Sequence, residues 1–258
     1  MLTILEVLQR TTAFFEEKQI ENARLNAELL LAHGLGLSKR MDLYMEFDRP
    51  LQESDLERVR PLVKRRVAGE PIQYIEGKAN FMGVNFIVDS RVLIPRPETE
   101  ELVERIGVWF EDESPQSILD LGTGSGAIAL SLARMFPEAG VVATDISAEA
   151  LAVAGKNAEE QDLAERVSFI ESDWFDGIEG KFDLIVSNPP YLSQAEVDQS
   201  HPEVREHEPL EALVSPGVKG EDYLLSIMAE ALPFLTTGAM LAMETGIDHR
   251  KALECKAS

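Results

Sequence analysis

At 258 residues and 45% hydrophobic content, the chain can hold one medium domain plus a small one. It contains no apolar run long enough to span a membrane, no basic signal-peptide start in Met1-Leu2-Thr3-Ile4-Leu5-Glu6, and a single cysteine, Cys255. These features disfavour a membrane protein, a secreted disulfide scaffold and a cysteine-based zinc site, and point to the cytoplasm. The net charge of -22 is uneven, -2 over residues 1–90 and -20 over 91–258, so a phosphate backbone would be repelled and nucleic acid is disfavoured as a direct substrate.

Residues 1–69 read as a helical domain. Leu2, Leu5 and Leu8, then Leu25 and Leu29, recur at helical spacing, and Ser54-Asp55 opens a further helix through Val67 with Pro61 as a break point. Arg58, Arg60, Lys64, Arg65 and Arg66 form a basic cluster there. It reads either as a solvated helix face or as a dock for an acidic partner. Residues 70–94 change character: Tyr74, Ile75, Phe81, Val84, Phe86, Ile87 and Val88, broken by Gly77 and Gly83, predict a linking β-hairpin.

From residue 95 to 258 helix and strand alternate. Helices are expected over Glu98–Phe110, Ala127–Phe136, Ser147 to about Gln161, and Asp222 to about Leu235. Strands are expected at 117–121, 141–144, 167–170, 182–186 and 240–243. The alternation predicts an α/β fold with a doubly wound parallel sheet.

The first of these strands runs into Gly122-Thr123-Gly124-Ser125-Gly126 and then a helix. Glycines there let backbone N–H groups approach a ligand closely. The loop alone is a weak signal, because Gly122-x-Gly124-x-x-Ala127 also fits a dinucleotide fingerprint. Asp145, ending the next strand, suits ribose hydroxyls in either case. Asp120, at the mouth of the loop, would oppose a pyrophosphate and favour a cationic ligand carrying a sulfonium and an ammonium, such as S-adenosylmethionine. The competing reading makes Asp120 a helix cap. Asp173 could accept from an exocyclic amine and Trp174 could cover an adenine ring, although a core tryptophan is the competing view.

The strand Phe182–Val186 ends at Asn188-Pro189-Pro190-Tyr191. Two prolines stiffen this segment and donate no N–H, which leaves an Asn amide, carbonyl oxygens and an aromatic face. That set fits a planar –NH2 group needing acceptors and a stacking surface.

These stretches together resemble a class I S-adenosylmethionine-dependent methyltransferase acting on amino or amide nitrogen. Glu70-Pro71-Ile72-Gln73-Tyr74-Ile75, Val92-Leu93-Ile94-Pro95-Arg96-Pro97-Glu98-Thr99-Glu100 and His201-Pro202-Glu203-Val204-Arg205 with Glu208-Pro209 are similar to the release-factor glutamine methyltransferases, the PrmC/HemK family. The resemblance covers nearly the whole chain. It implies N5-methylation of the glutamine in the Gly-Gly-Gln motif of class 1 peptide chain release factors, with the N-terminal helices contacting the release factor and a monomer as the expected state. It further implies that Gly122–Gly126, Asp145 and Trp174 bind the cofactor, that Asn188 lies close to it, and that Asn188, Pro189, Pro190 and Tyr191 hold the glutamine. Beyond 240–243 the family continues with a helix and two strands. Here Glu244-Thr245-Gly246 leads to a short tail, with His249 where a Gln is usual, so that strand is expected at an exposed edge.

An amide nitrogen is a weak nucleophile, so the expected mechanism is orientation rather than deprotonation. The Asn188 oxygen and the Pro189 carbonyl would accept the two amide hydrogens while Tyr191 packs on the amide plane. Alternatives are methylation of a ribosomal-protein glutamine, adenine-N6 methylation, a dehydrogenase, and an inactive chain that only binds a partner.

Overall fold

Five short runs rich in Val, Ile, Leu and Ala, the three central ones buried on both faces for the most part, form one parallel sheet. The computed structural model describes residues 1–257, with side chains through Cys255. Two compact units result, one of residues 1–77 with 202–207, the other of 78–201 with 208 onward.

The first unit is helical: α1 (Ile4–Glu17), α2 (Ala23–Gly34), α3 (Asp42–Met45), α4 (Glu53–Val67) and α5 (Ile72–Glu76), with the short helix Pro202–His207. A capping box starts α1: Glu6 N donates to Thr3 Oγ1 at 3.3 Å and Thr3 N to Glu6 Oε2 at 2.9 Å. The core is Ile4, Leu8, Phe15, Leu30, Leu31, Leu43 and Val59. Thus the leucine stripe read from the sequence is displaced: Leu5 and Leu29 are half-buried and Leu25 is exposed. Leu29-Leu30-Leu31 are consecutive, and composition cannot say which of three adjacent apolar residues faces inward. Pro61 does not break α4. It sits on the exposed side while Val59 packs into the core, which offsets the lost backbone bond.

The basic cluster on α4 is a solvated face at Arg58, Arg60, Lys64 and Arg65, which are exposed, and departs from that reading only at Arg66. Arg58 pairs with Asp55, Arg60 with Glu53 and Arg65 with Glu70. Arg66 is buried, donating to Asn26 Oδ1 at 2.7 Å, to the Glu70 carbonyl at 3.1 Å and to Glu203.

In the second unit, β1 (Lys78–Phe81) and β2 (Val84–Ile87) form an antiparallel hairpin. Its turn residues Met82 and Gly83 have φ of 50° and 75°, the paired left-handed values of a type I′ turn. The expected hairpin therefore begins later than residue 70, because Tyr74 and Ile75 lie in α5, which Gly77 ends in a left-handed C-cap.

After α6 (Pro97–Trp109), β3 (Ser117–Leu121), α7 (Ala127–Met135), β4 (Gly140–Asp145), α8 (Ala148–Glu160), β5 (Val167–Glu171), β6 (Phe182–Ser187) and β7 (Leu235–Met243) complete the series. The sheet order is β5-β4-β3-β6-β7, all parallel. Ile118, Val141, Ala143, Leu184 and Val186 pack with α6, α7 and the hairpin, while Leu119, Leu121 and Ile185 pack with Phe175, Phe182 and Ile227. Each such buried Leu or Ile stabilises the fold by roughly 1.5–3 kcal/mol.

The helix predicted to run from Asp222 to Leu235 stops at Glu230. Pro233 falls in a tight turn over Leu232–Phe234, and Leu235 already belongs to β7. β7 lies at the sheet edge, as expected, and none of its residues is fully buried. Among the described residues, a helix, Arg250–Ala257, and not a strand, follows it.

Candidate active site

The order β5-β4-β3-β6-β7 reverses direction at β3, and the crevice at the carboxyl ends of strands beside such a switch is the usual ligand position. Leu121 is the register partner of both Thr144 and Ser187. The loops starting at Gly122 and Asn188 therefore leave the sheet at the same level. Ser187 Oγ donates to the Leu121 carbonyl at 2.7 Å and ties the two departures together.

In the first loop Gly122, Gly124 and Gly126 all take positive φ, at 70°, 56° and 81°. Thr123 N bonds to the Thr144 carbonyl at 2.8 Å. Gly124 N donates to Asp145 Oδ2 at 2.8 Å, and Ser147 N to Asp145 Oδ1 at 3.0 Å. Burial pushes the Asp145 carboxyl up, against those backbone bonds. Asn157 braces the loop from α8: its Nδ2 donates to the Ser125 carbonyl at 2.9 Å and to the Ile87 carbonyl at 3.0 Å, and its Oδ1 accepts from Ile87 N at 2.6 Å.

Asp120 does not stand at the mouth of this loop as expected. It is fully buried beneath it, accepting from Thr123 Oγ1 at 2.7 Å and from Ala129 N at 3.2 Å, with Oδ1 unpartnered. Strand alternation turns its side chain to the face that the start of α7 covers. Burial, reinforced by Asp145, raises its carboxyl to about 7, and its two hydrogen bonds offset only part of this.

The consequence has a definite sign. The folded state holds the Asp120 proton up to about 7 and the unfolded chain releases it near 3.8, so stability falls as pH rises between those values. Asp120→Asn should flatten that slope, a difference on the order of 4 kcal/mol at most across the window. Urea unfolding of both proteins from pH 4 to pH 8 reads this directly, and parallel profiles would refute it.

A cavity of about 750 Å³ opens at this end of the sheet. Gly122, Thr123, Gly124, Ser125 and Asp145 form one wall, and Asp173 and Trp174 another. Trp174 is half-buried, packed on the edge of a core cluster while facing the cavity, with φ of 48°, and meets Tyr223 tilted at 5.1 Å. Ser172 Oγ holds this turn, donating to the Asp176 carbonyl at 2.7 Å with the Trp174 carbonyl 3.0 Å away. Of the second motif, Asn188 and Pro190 line the cavity; Pro189 is buried, and Asp120, Gly126, Pro189 and Tyr191 do not line it.

The expected stacking of Tyr191 on a substrate amide thus gives way to another arrangement. Tyr191 OH donates to Glu244 Oε1 at 2.9 Å, and its ring meets His249 edge-on at 6.2 Å. Burial first, then Glu244, pushes the phenol well above its ordinary range, so it remains a donor. Glu244 Oε2 accepts from Thr99 Oγ1 at 2.6 Å, and Asn188 Nδ2 donates to Thr99 Oγ1 at 3.1 Å. The Ile94–Arg96 wall is held by buried Glu208, which accepts from Ile94 N at 3.2 Å and from Arg96 at 2.5 Å. Sequence reading missed Thr99, Asn157, Glu244 and Tyr223 as site residues. Thr99 lies inside a recognised stretch and Glu244 directly after the last strand, but only the fold brings them together.

A parallel sheet switching at β3, with a glycine loop there and a cavity over its strand ends, is the fold of the class I methyltransferases. A 16S rRNA methyltransferase of T. thermophilus, solved with AdoMet and guanosine, superposes with a TM-score of 0.51 at 21% identity over 69% of this chain and 44% of that one. Residues 6–77 match the PrmC N-terminal domain and 100–207 the methyltransferase small domain. The release factor glutamine methyltransferase of Chlorobaculum tepidum is 47% identical over 95% of this chain and 86% of its own length. That of Rhodopirellula baltica is 42% identical over 94% and 83%. The chain belongs to the release factor glutamine methyltransferase family.

Proposed function

We propose that this chain transfers the methyl group of S-adenosylmethionine to the side-chain nitrogen of the glutamine in the Gly-Gly-Gln motif of class 1 peptide chain release factors. The observation that carries this reading is the shared cavity wall of the glycine loop and Asn188, in a chain nearly half identical to a relative of that name.

The residues present fit the cofactor. The cavity volume suits a nucleoside-sized ligand, an acidic group lies at the end of β4, and two aromatic rings flank one wall. Gly122, Thr123, Gly124 and Ser125 would hold it from their backbone, with Gly126 behind them starting α7, Asp145 would take the ribose hydroxyls, and Asp173 with Trp174 would take the adenine. Asp120 acts from beneath, fixing Thr123 and the start of α7. When bound, the cofactor supplies an electrophilic methyl on a sulfonium.

The protein's part is aim. Asn188 Oδ1 accepts one amide hydrogen of the substrate glutamine, and the Pro189 carbonyl, which lies outside the cavity lining, accepts the other once it turns toward the substrate, so that the nitrogen lone pair points at the methyl. Both acceptors stabilise positive charge developing on nitrogen. Pro190 shapes the wall beside the amide, and Tyr191 anchors the motif through Glu244. The proton leaves to water after transfer.

The helical unit would contact the release factor, and the protein would work as a cytoplasmic monomer without direct nucleic acid contact. Among the described residues no helix is long and apolar enough to cross a membrane.

Labelled S-adenosylmethionine offered with a release factor, ribosomal proteins and DNA in parallel tests the reading. Label is expected in the release factor alone, on its Gly-Gly-Gln glutamine. Label confined to ribosomal protein or to DNA would overturn it.

A further inference from the structure

We infer that Thr99 and Glu244 are positioning residues that set which end of the Asn188 amide faces the substrate. The inference rests on the proposed methyl transfer and deepens it.

Glu244 receives a hydroxyl on each oxygen, Tyr191 on Oε1 at 2.9 Å and Thr99 on Oε2 at 2.6 Å. A hydroxyl has a single proton, and that of Thr99 is committed to Glu244. Toward Asn188 the Thr99 oxygen can therefore only accept. The Asn188 atom facing it, 3.1 Å away, must be the NH2 and not the carbonyl oxygen. Oδ1 is left as the acceptor for an incoming –NH2. With the amide reversed, oxygen would meet oxygen at Thr99, and the substrate nitrogen would meet a second donor.

Three elements supply these groups. Thr99 lies in the first turn of α6 and is buried. Glu244 follows β7 directly, and its N–H donates to the Ser187 carbonyl at 3.0 Å, which holds it beside the residue preceding Asn188. Tyr191 stays protonated because burial and Glu244 both disfavour its phenolate, so it remains the donor to Glu244 Oε1. The carboxylate thus orders the two ends of the Asn188–Tyr191 segment at once.

The test compares wild type with Thr99→Val, Thr99→Ser and Glu244→Gln. Valine keeps the shape and removes the acceptor, whereas serine keeps the acceptor. Thr99→Val should lower kcat roughly 10- to 100-fold, with cofactor Kd by calorimetry and melting temperature little changed, and Thr99→Ser should restore most of it. Glu244→Gln, which can donate to Thr99 and free that hydroxyl to reverse, should behave like Thr99→Val. A readout free of turnover accompanies this: the Asn188 side-chain NH2, observed by NMR, should exchange slowly in wild type and faster in Thr99→Val. Unchanged kcat in Thr99→Val, equal loss in the serine variant, or equal NH2 exchange in wild type and Thr99→Val would overturn the inference. If wild type methylates no release factor yet shows the exchange difference, the positioning stands and the proposed substrate falls.

Discussion

Asn188→Ala is expected to lower methyl transfer by about 1,000-fold or more while cofactor affinity changes by no more than a few-fold. The asymmetry follows from the site. Four consecutive loop residues, Asp145 and the Trp174 wall remain for the cofactor, whereas the substrate nitrogen loses the acceptor that orients it. Truncation also leaves the Thr99 oxygen without the donor it now has at 3.1 Å, which costs about 1 kcal/mol of stability. That is too small to unfold a domain with a core of this size. Single-turnover transfer from labelled cofactor, calorimetric cofactor binding and thermal melting on the same preparation separate these effects. Turnover within a few-fold of wild type would remove Asn188 from the mechanism. Loss of cofactor binding in step with turnover would make it a cofactor ligand first.

The sheet was legible because its strands are short apolar runs punctuated by glycine loops and capped helices, and such punctuation is local. What local pattern could not show is which partners a side chain meets across the fold. Asp120 reads as a loop-mouth carboxylate from its place in the chain, but the start of α7 covers it, and only tertiary packing makes it a buried acid near 7. Arg66 looks like one of five surface cations, yet its guanidinium serves Asn26 and Glu203, 40 and 137 residues away. Tyr191 reads as a stacking face, and its hydroxyl turns out to belong to Glu244, 53 residues on. Thr99, 89 residues before Asn188, was invisible as a partner for the same reason. The site's polarity is thus a property of sheet register: β3, β6 and β7 end at one level and present Gly122, Asn188 and Glu244 side by side.

That register explains why a glycine outside every recognised motif should be as sensitive as those within them. Gly220 has φ of 72°, and a Cβ there would lie 2.3 Å from the Tyr191 carbonyl oxygen, 2.9 Å from Leu192 C and 2.9 Å from Ser193 N. All three are backbone atoms, so no rotamer change relieves the clash. Nor can the facing segment retreat. Leu192 N donates to the Leu213 carbonyl at 3.0 Å, Ser215 N to the Leu192 carbonyl at 2.9 Å, and Ser193 caps the helix Gln194–Gln199. On the other side, His249 holds the Lys219 carbonyl at 2.9 Å. Gly220→Ala should therefore cost about 3 kcal/mol or more, and kcat should fall further than cofactor affinity, because the nearest clashing atom is the Tyr191 carbonyl oxygen, at the end of the Asn188–Tyr191 segment. Gly177→Ala separates the causes. Its φ is also 72° and nothing lies within 4 Å of the added Cβ, so it should lose only the left-handed penalty of roughly 1–2 kcal/mol. Denaturant unfolding of both variants measures the difference. Equal losses would show that the backbone around Tyr191 yields freely, and the rigidity assigned to the Asn188–Tyr191 loop would have to be abandoned.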